Sequence, residues 1–512
     1  MQNHAENTQR IAKNTILLYI RMLFLMVVSL FTSRVILNAL GVENYGIYNA
    51  VGGIVVMFSI LSSSMSSSIS RYLTYELGAG NIERLRVVYS SAIIIQILLF
   101  LIIAIIAEPL GLWFLNKKMN IPPERVYAAN CVFQFSIITF GLGLINLPFN
   151  ATIISHERMS FFAYISIFEG VSKLVVAYLV NISPIDKLIF YSCLMLMISV
   201  IMRVIYGWYC THNFKECKFK FTIDVGLLKE MFSFAGWNFF GNGSYLVNTQ
   251  GINLLSNVFF GVTINATRGI ATQVDSVVGQ FVGNFTMAIN PQITKSYASG
   301  DFKYMHKLIC RGARFSYFLM LILAVPIIVE TDMILTLWLK TYPPDTAIFV
   351  RFAIASSLTT IIGNTLVTGM MASGNIKRYQ LIITSVGVLV FPMTWVAFEF
   401  GAPAYCAYLI YFVVYFILIF LRMYLVKDLI KMPPKLYFSN VVLRCLVITV
   451  LSFVPATAIT FLIQQSVPRL VLNMIVSVLF TGHLILRLGL DESEKMFIVS
   501  KLKSISIRKT LF

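Results

Sequence analysis

VVYSSAIIIQILLFLIIAIIAEPLGLWFL, Val87 to Leu115, runs for 29 residues with a single charged side chain, Glu108. A helix rises about 1.5 Å per residue, so about 20 such residues cross a hydrocarbon core roughly 30 Å thick. The stretch is long and apolar enough to span a bilayer, and lipid is therefore the solvent in which the fold must be read. Its flanks agree, with Arg84 and Arg86 before it and Lys117 and Lys118 after it.

Outward from this stretch the pattern recurs. Apolar runs lie near 14–38, 46–70, 87–115, 126–154, 160–181, 187–211, 230–260, 264–294, 312–339, 348–373, 379–400, 403–422, 440–463 and 470–487. The longest links, near 212–229 and 423–439, leave no room for a folded aqueous domain. The sequence thus predicts an all-α polytopic membrane protein of about 14 transmembrane helices. Composition points the same way: 12% of residues are charged and the mean hydropathy is +0.80, whereas soluble domains carry about 25% charged residues. The 40 Lys+Arg against 22 Asp+Glu punctuate apolar runs instead of clustering on a polar domain, which excludes a soluble enzyme and a DNA-binding protein. Arg21 and Arg34 interrupt the first run, which reads as an uncleaved span and not as a signal peptide.

Loop cations set the expected orientation. With the N-terminus cytoplasmic, 27 of the 40 Lys+Arg fall on that side, including Lys215, Lys218, Lys220, Lys229 and the tail from Arg487 to Lys509. Seven fall opposite: Lys117, Lys118, Arg125, Lys187, Lys340, Arg351 and Arg469. This asymmetry places both termini in the cytoplasm. The seven cysteines form no CxxC pair and the five histidines are scattered, so neither a metal centre nor a Ser/His/Asp arrangement is expected. No GxxxxGK[ST] loop is present to cradle nucleotide phosphates. No catalytic residue, cofactor or metal is assigned.

An internal repeat organises the chain. A shift of 220 aligns Gly41-Val42 with Gly261-Val262, Thr74 with Thr294 and Gly80-Asn81 with Gly300-Asp301; a shift of 218 aligns Asn146 with Asn364 and Ser155 with Ser373. An offset of six helices gives halves of the same orientation, related by a pseudo-two-fold along the membrane normal. The expected division is an N-terminal six-helix bundle over 1–211, a cytoplasmic linker over 212–229 and a C-terminal six-helix bundle over 230–427. Two additional transmembrane helices over 428–490 and a basic tail over 491–512 follow.

Six cations fall inside spans: Arg21, Arg34, Lys173, Arg203, Arg268 and Arg314. Each costs about 2.5–3.5 kcal/mol at a helix centre, so they must face protein or water. Arg203 and Arg314 are expected to snorkel to an interface, while Arg21, Arg34 and Arg268 are cavity candidates. Arg268, Thr272, Asp275, Gly279, Thr286 and Asn290 share one helix face, and Asn238, Asn242, Thr249 and Asn253 answer from the preceding span. A serine face runs through Ser59, Ser62, Ser63, Ser66, Ser67 and Ser70, open to two readings: helix glue or cavity wall. Asp275 is an ion-coupling candidate, because an intramembrane carboxylate points to function. Glu169 and Lys173 stand one turn apart: either an i,i+4 ion pair, or an anionic-headgroup site at Lys173 with Glu169 responding to a proton or cation.

Asn7 to Ile54, NTQRIAKNTILLYIRMLFLMVVSLFTSRVILNALGVENYGIYNAVGGI, resembles the first two spans of bacterial oligosaccharide flippases (O-antigen or capsular repeat units) of the multidrug/oligosaccharidyl-lipid/polysaccharide exporter superfamily. Ile153 to Gly170, IISHERMSFFAYISIFEG, resembles that family's loop after the fourth span. The resemblance implies two six-helix bundles around a central cationic cavity, with Arg21, Arg34, Arg268 and Lys173 as substrate-binding candidates and Asp275 and Glu169 as ion-coupling candidates. It implies alternating access that carries a polyprenyl-diphosphate-linked oligosaccharide across the bacterial inner membrane during polysaccharide or lipopolysaccharide biosynthesis, beside membrane lipid, glycan polymerase and assembly proteins. Two further readings stay open: a cation-coupled multidrug or small-molecule exporter of the same fold, and a membrane glycan polymerase or ligase.

Overall fold

The computed structural model describes residues 2–56, 59–117, 121–218, 224–260, 262–339, 342–492 and 494–496. Within these, every regular element is a helix. The first, α1 (Gln2–Val56), runs through the first apolar stretch into the second and breaks at Gly41, with φ 77° and ψ 164°. A Cβ makes those angles costly, and at this glycine one span ends and the next starts with no intervening loop.

Next come α2 (Ser59–Ala79), α3 (Ile82–Lys117), α4 (Val126–Ser155), α5 (Met159–Leu179) and α6 (Lys187–Asn213). Then α7 (Val225–Leu246) passes through a π-helical turn at Val247–Gly251 into α8 (Ile252–Phe260), before the long α9 (Val262–Ala298). The chain continues as α10 (Phe302–Val329), α11 (Thr331–Leu339), α12 (Thr346–Ile362) and α13 (Asn364–Ser373). It ends with α14 (Lys377–Val388), α15 (Val390–Glu399), α16 (Cys406–Ile430), α17 (Pro434–Tyr437), α18 (Leu443–Leu462) and α19 (Val467–Leu484).

Among the described residues, ten helical stretches are long and apolar enough to cross a membrane. The expected spans outside that set are the first, second, seventh and eighth, the leading pair of each half of the repeat. Of these, α2 carries the serine face and α9 carries Arg268 and Asp275. The two turns that the 220-residue shift brings into register have the same backbone. Gly80 has φ 76° and Gly300 φ 74°. Gly80 donates to the Leu77 carbonyl and Asn81 to Glu76, as Gly300 does to Tyr297 and Asp301 to Ser296. Each is a helix end capped by a left-handed glycine.

The chain divides into two compact units, Met1–Phe240 with Pro291–Asp301, and Gly241–Asn290 with Phe302–Phe512. In the first, α4 packs between α3 and α6 over a core that includes Ile103, Ala129, Val132, Phe133 and Leu188. The helices approach closely where glycine faces an aromatic ring: a Cβ at Gly111 would run into the Phe133 ring, and one at Gly141 into that of Phe100. Small residues at membrane helix contacts allow this dispersion-driven packing.

The second unit is built on α10, which packs against α12, α13, α18 and α19. Here the expectation that Arg314 snorkels is corrected. The side chain is 1% exposed, and Nη2 donates to Glu494 Oε1 at 2.8 Å and to Asp491 Oδ2 at 2.8 Å. Arg311 pairs with Glu494 at 2.6 Å and Arg444 with Asp491 at 2.7 Å. Desolvating a guanidinium is tolerated because two carboxylates, far away in sequence, meet it inside the protein. Toward the other end of α10, Glu330 is 1% exposed and takes hydrogen bonds from Arg469 (2.8 Å) and Asn473 (2.9 Å) of α19.

Candidate functional site

The face of α9 made by Arg268, Thr272 and Asp275 follows from i, i+4, i+7 spacing. Within the second unit it meets α16, α12 and α7. The Arg268 guanidinium carbon lies 5.2 Å from the Tyr408 ring centroid, and a side-chain hydrogen bond joins Tyr408 to Thr272. Arg268 is 9% exposed and its Nε has no hydrogen-bond partner. Among the described residues no carboxylate pairs with it, and the ring face of Tyr408 supplies cation–π contact in place of a counter-charge.

Asp275 is bonded to the Ser357 hydroxyl of α12, and its Oδ1 is buried without a hydrogen-bond partner. It forms no ion pair with Arg268, since two helical turns, roughly 10 Å, separate them along α9. Around it, Tyr411 and Tyr415 of α16 stack with centroids 4.0 Å apart and planes 13° from parallel. Tyr411 also bonds to Thr360, and Tyr245 of α7 lies within electrostatic reach of both Asp275 and Tyr415. One helical turn on from Tyr245, the π turn brings in Asn248, which donates to the Gly387 carbonyl at 2.8 Å. Such turns inside helices recur at functional sites.

The sequence reading missed the tyrosines and Ser357. A signal for the tyrosines was present, because Tyr408, Tyr411 and Tyr415 recur at three and four residues and thus share a face of α16.

In the first unit, Arg21 of α1 donates from Nη1 to Ser166 Oγ of α5 at 3.3 Å and lies 4.7 Å from the Phe162 ring centroid. Tyr206 of α6 stands within electrostatic reach of both Arg21 and Glu169. Lys173 Nζ donates to Glu169 Oε1 at 2.6 Å, both side chains being about two-fifths exposed. Arg21 of α1 and the Glu169–Lys173 pair of α5 thus gather beside Tyr206 of α6. The Arg34 side chain lies outside the described residues. On α2 the serines divide: Ser68 is buried and donates to the Met231 carbonyl at 3.0 Å, joining helices, while Ser67 bonds back to Ser63 of its own helix.

A polar node unseen in the sequence sits where α4 turns into α5. Glu157 adopts φ 58°, is buried, and accepts Gln292 at 2.6 Å and Lys295 at 2.5 Å. His156 meets Glu216 at 2.5 Å and stacks on Phe214. Burial raises the Glu216 carboxyl, but the hydrogen bond to His156 and its own backbone bond outweigh it, and the group sits below its usual range. His156 and Glu157, with Leu77, Arg158 and Lys295, line a polar cavity of about 500 Å³.

A family profile described as "Polysaccharide biosynthesis protein" matches residues 11–297. EpsK of Bacillus subtilis (strain 168), described as an uncharacterized membrane protein, is 19% identical over 314 residues, covering 61% of this chain. The match spans 62% of EpsK's own length.

Three solved structures share the fold. A MATE protein in the straight conformation has TM-score 0.69 at 12% identity, over 83% of this chain and 97% of that one. An outward-facing multidrug resistance MATE family transporter of the MOP superfamily has TM-score 0.69 at 14% identity, over 83% and 96%. A MOP superfamily transporter from Pyrococcus furiosus, described by a binding pocket of reverse polarity, has TM-score 0.67 at 12% identity, over 83% and 96%. The fold is that of the MATE proteins.

Proposed function

The chain belongs to the polysaccharide biosynthesis protein family, and on that footing we propose that it is a flippase, carrying a polyprenyl-diphosphate-linked oligosaccharide from the cytoplasmic to the periplasmic leaflet of a bacterial inner membrane by alternating access. The observation that carries the reading is Arg268. A guanidinium 9% exposed on α9, with an aromatic face in place of a carboxylate, is costly unless an anion completes it. A diphosphate does so, and guanidinium grips its oxygens bidentately.

The tyrosine wall supports the sugar half of the substrate. Tyr408, Tyr411 and Tyr415 offer flat amphipathic rings with hydroxyls at their edges, the surface on which the apolar face of a sugar packs while its hydroxyls are bonded. Arg21, Arg34, Glu169 and Lys173 contribute further charge from the first half. Asp275, hydrogen-bonded to Ser357 and lacking a cationic partner among the described residues, is the proposed ion-coupling group, since binding a proton or Na⁺ removes its charge in the cavity. Both termini are cytoplasmic in this reading, and glycan polymerase and assembly proteins receive the product.

Proteoliposomes loaded with polyprenyl-diphosphate-linked oligosaccharide test the proposal. Leaflet exchange, read by access of an external glycosidase, should occur with the native protein and be lost in Arg268→Ala at equal incorporation. Transport of cationic drugs in place of the glycolipid would return the chain to the exporter reading.

A further inference from the structure

A second cavity lies in the second unit, far in sequence from the α9 face. It encloses about 490 Å³ among α10, α12, α16 and α18, and all four belong to membrane-crossing stretches. Ile328, Phe352, Phe412, Leu446 and Phe453 form its walls. Its polar groups are internally satisfied: Tyr317 and Thr449 bond each other at 2.7 Å, and Thr359 donates to the Ser356 carbonyl. The interior therefore asks nothing of an occupant but apolar surface, which at this depth a hydrocarbon chain provides.

The charge at one end of the groove specifies more. Arg351 is the charged residue that lines it. Its Nε donates to the Ile328 carbonyl at 3.0 Å, and Nη2 donates to Asp332 Oδ2 at 2.6 Å. Arg351 is 38% exposed and Asp332 50%, near the start of α12 and in the first turn of α11. A cation and an anion thus stand side by side at the end of an apolar slot. A purely anionic headgroup gains Arg351 and is repelled by Asp332. A zwitterionic headgroup satisfies both, with phosphate on the guanidinium and ammonium on the carboxylate.

We propose that this groove is a binding site for a zwitterionic phospholipid with a primary ammonium, phosphatidylethanolamine, one acyl chain lying among α10, α12, α16 and α18 and the headgroup spanning Arg351 and Asp332. The site is separate from the α9 face and stands whether or not the chain is a flippase. The lipid fills the space between α18 and the α12/α16 pair, and so belongs to the packing of the second unit.

The test is native mass spectrometry of the full chain released from nanodiscs of equimolar phosphatidylethanolamine and phosphatidylglycerol, with a polyprenyl phosphate added in a second series. The native protein should retain phosphatidylethanolamine over both other lipids. Asp332→Asn and Arg351→Gln, which alter partly exposed groups, should each lower that preference by about tenfold, the value of one charge-assisted hydrogen bond, with melting temperature near native. Ala355→Trp, which fills the slot, should remove the adduct. Retention of phosphatidylglycerol or polyprenyl phosphate in preference, no retained lipid, or an unchanged preference in a folded Asp332→Asn protein would each overturn the assignment.

Discussion

Arg314 donates from one nitrogen to both oxygens of Glu494, at 2.8 and 3.0 Å, with each side chain less than one-twentieth exposed. Removing one member of a buried pair strands the other, which costs about 3–5 kcal/mol. Arg314→Ala and Glu494→Gln should therefore lower the melting temperature of the detergent-solubilised protein sharply. Tolerance of both would return Arg314 to the snorkelling role that its position in the chain suggested.

The same cluster sets a dependence on acid. The hydrogen bond from Arg314 holds the Asp491 carboxyl well below the usual carboxylate range, against the upward push of burial, and Arg444 adds to the lowering. Because the folded value is depressed, the stabilisation is fully present above the unfolded value near pH 3.9 and is lost as pH falls through the folded value. Melting temperature against pH should show a loss on that acid limb that is diminished in Asp491→Asn, which is already less stable at neutral pH. Parallel curves would remove Asp491 from the account.

Substrate discrimination should separate charge from stacking at the α9 face. Arg268→Lys keeps a point charge but not the bidentate fork, so surface-glycan export in complemented cells should fall only in part, whereas Arg268→Ala should abolish it. Tyr408→Phe retains the ring under Arg268 and loses the bond to Thr272, and should be milder than Tyr408→Ala. Equal tolerance of all four, with normal membrane levels, would deny the face a part in transport.

Ion coupling makes its own demand. Asp275→Asn preserves size and the hydrogen bond from Ser357 but cannot change charge. Export should stop while the protein stays in the membrane, and in proteoliposomes the response to an imposed proton or Na⁺ gradient should vanish. Full complementation would leave Asp275 a structural ligand of Ser357.

Gly41→Ala tests the break in α1. Its added Cβ meets no atom within 4 Å, so the cost is conformational alone, about 1–3 kcal/mol for a residue confined to that region. A thermal melt should show the loss, and an unchanged melt would mean that the helix reforms without the break.

Hydropathy made the helices legible, and the Gly80 and Gly300 pair of the repeat marked turns that share one backbone. The Glu169 and Lys173 pair was readable because its members are one turn apart on a single helix. The α9 face was readable for the same reason. What stayed hidden was whatever joins helices distant in sequence. Arg268 announces a face but not that Tyr408 covers it. Arg314, judged by its distance from the end of its own span, looked able to reach water, and its carboxylates lie beyond the last span. Nothing in the run from Ile153 to Gly170 announces that the Glu157 carboxylate meets Gln292 and Lys295. Periodicity reports which residues share a face, and is silent on what that face meets.

The ties between α10 and the end of the chain bear on biogenesis. Arg314 and Glu494 are 180 positions apart, and at about 5–20 residues per second a ribosome needs roughly 10–35 s to travel between them. Through that interval the nascent α10 holds a guanidinium whose counter-charges have not been made, and Glu330 waits likewise for Arg469. These buried charges of α10 and its end thus find their partners only after α19 and the segment beyond it have been translated. A chain truncated before Asp491 would keep α10 to α19 but leave Arg314 without these carboxylates, the kind of defect that membrane quality control degrades.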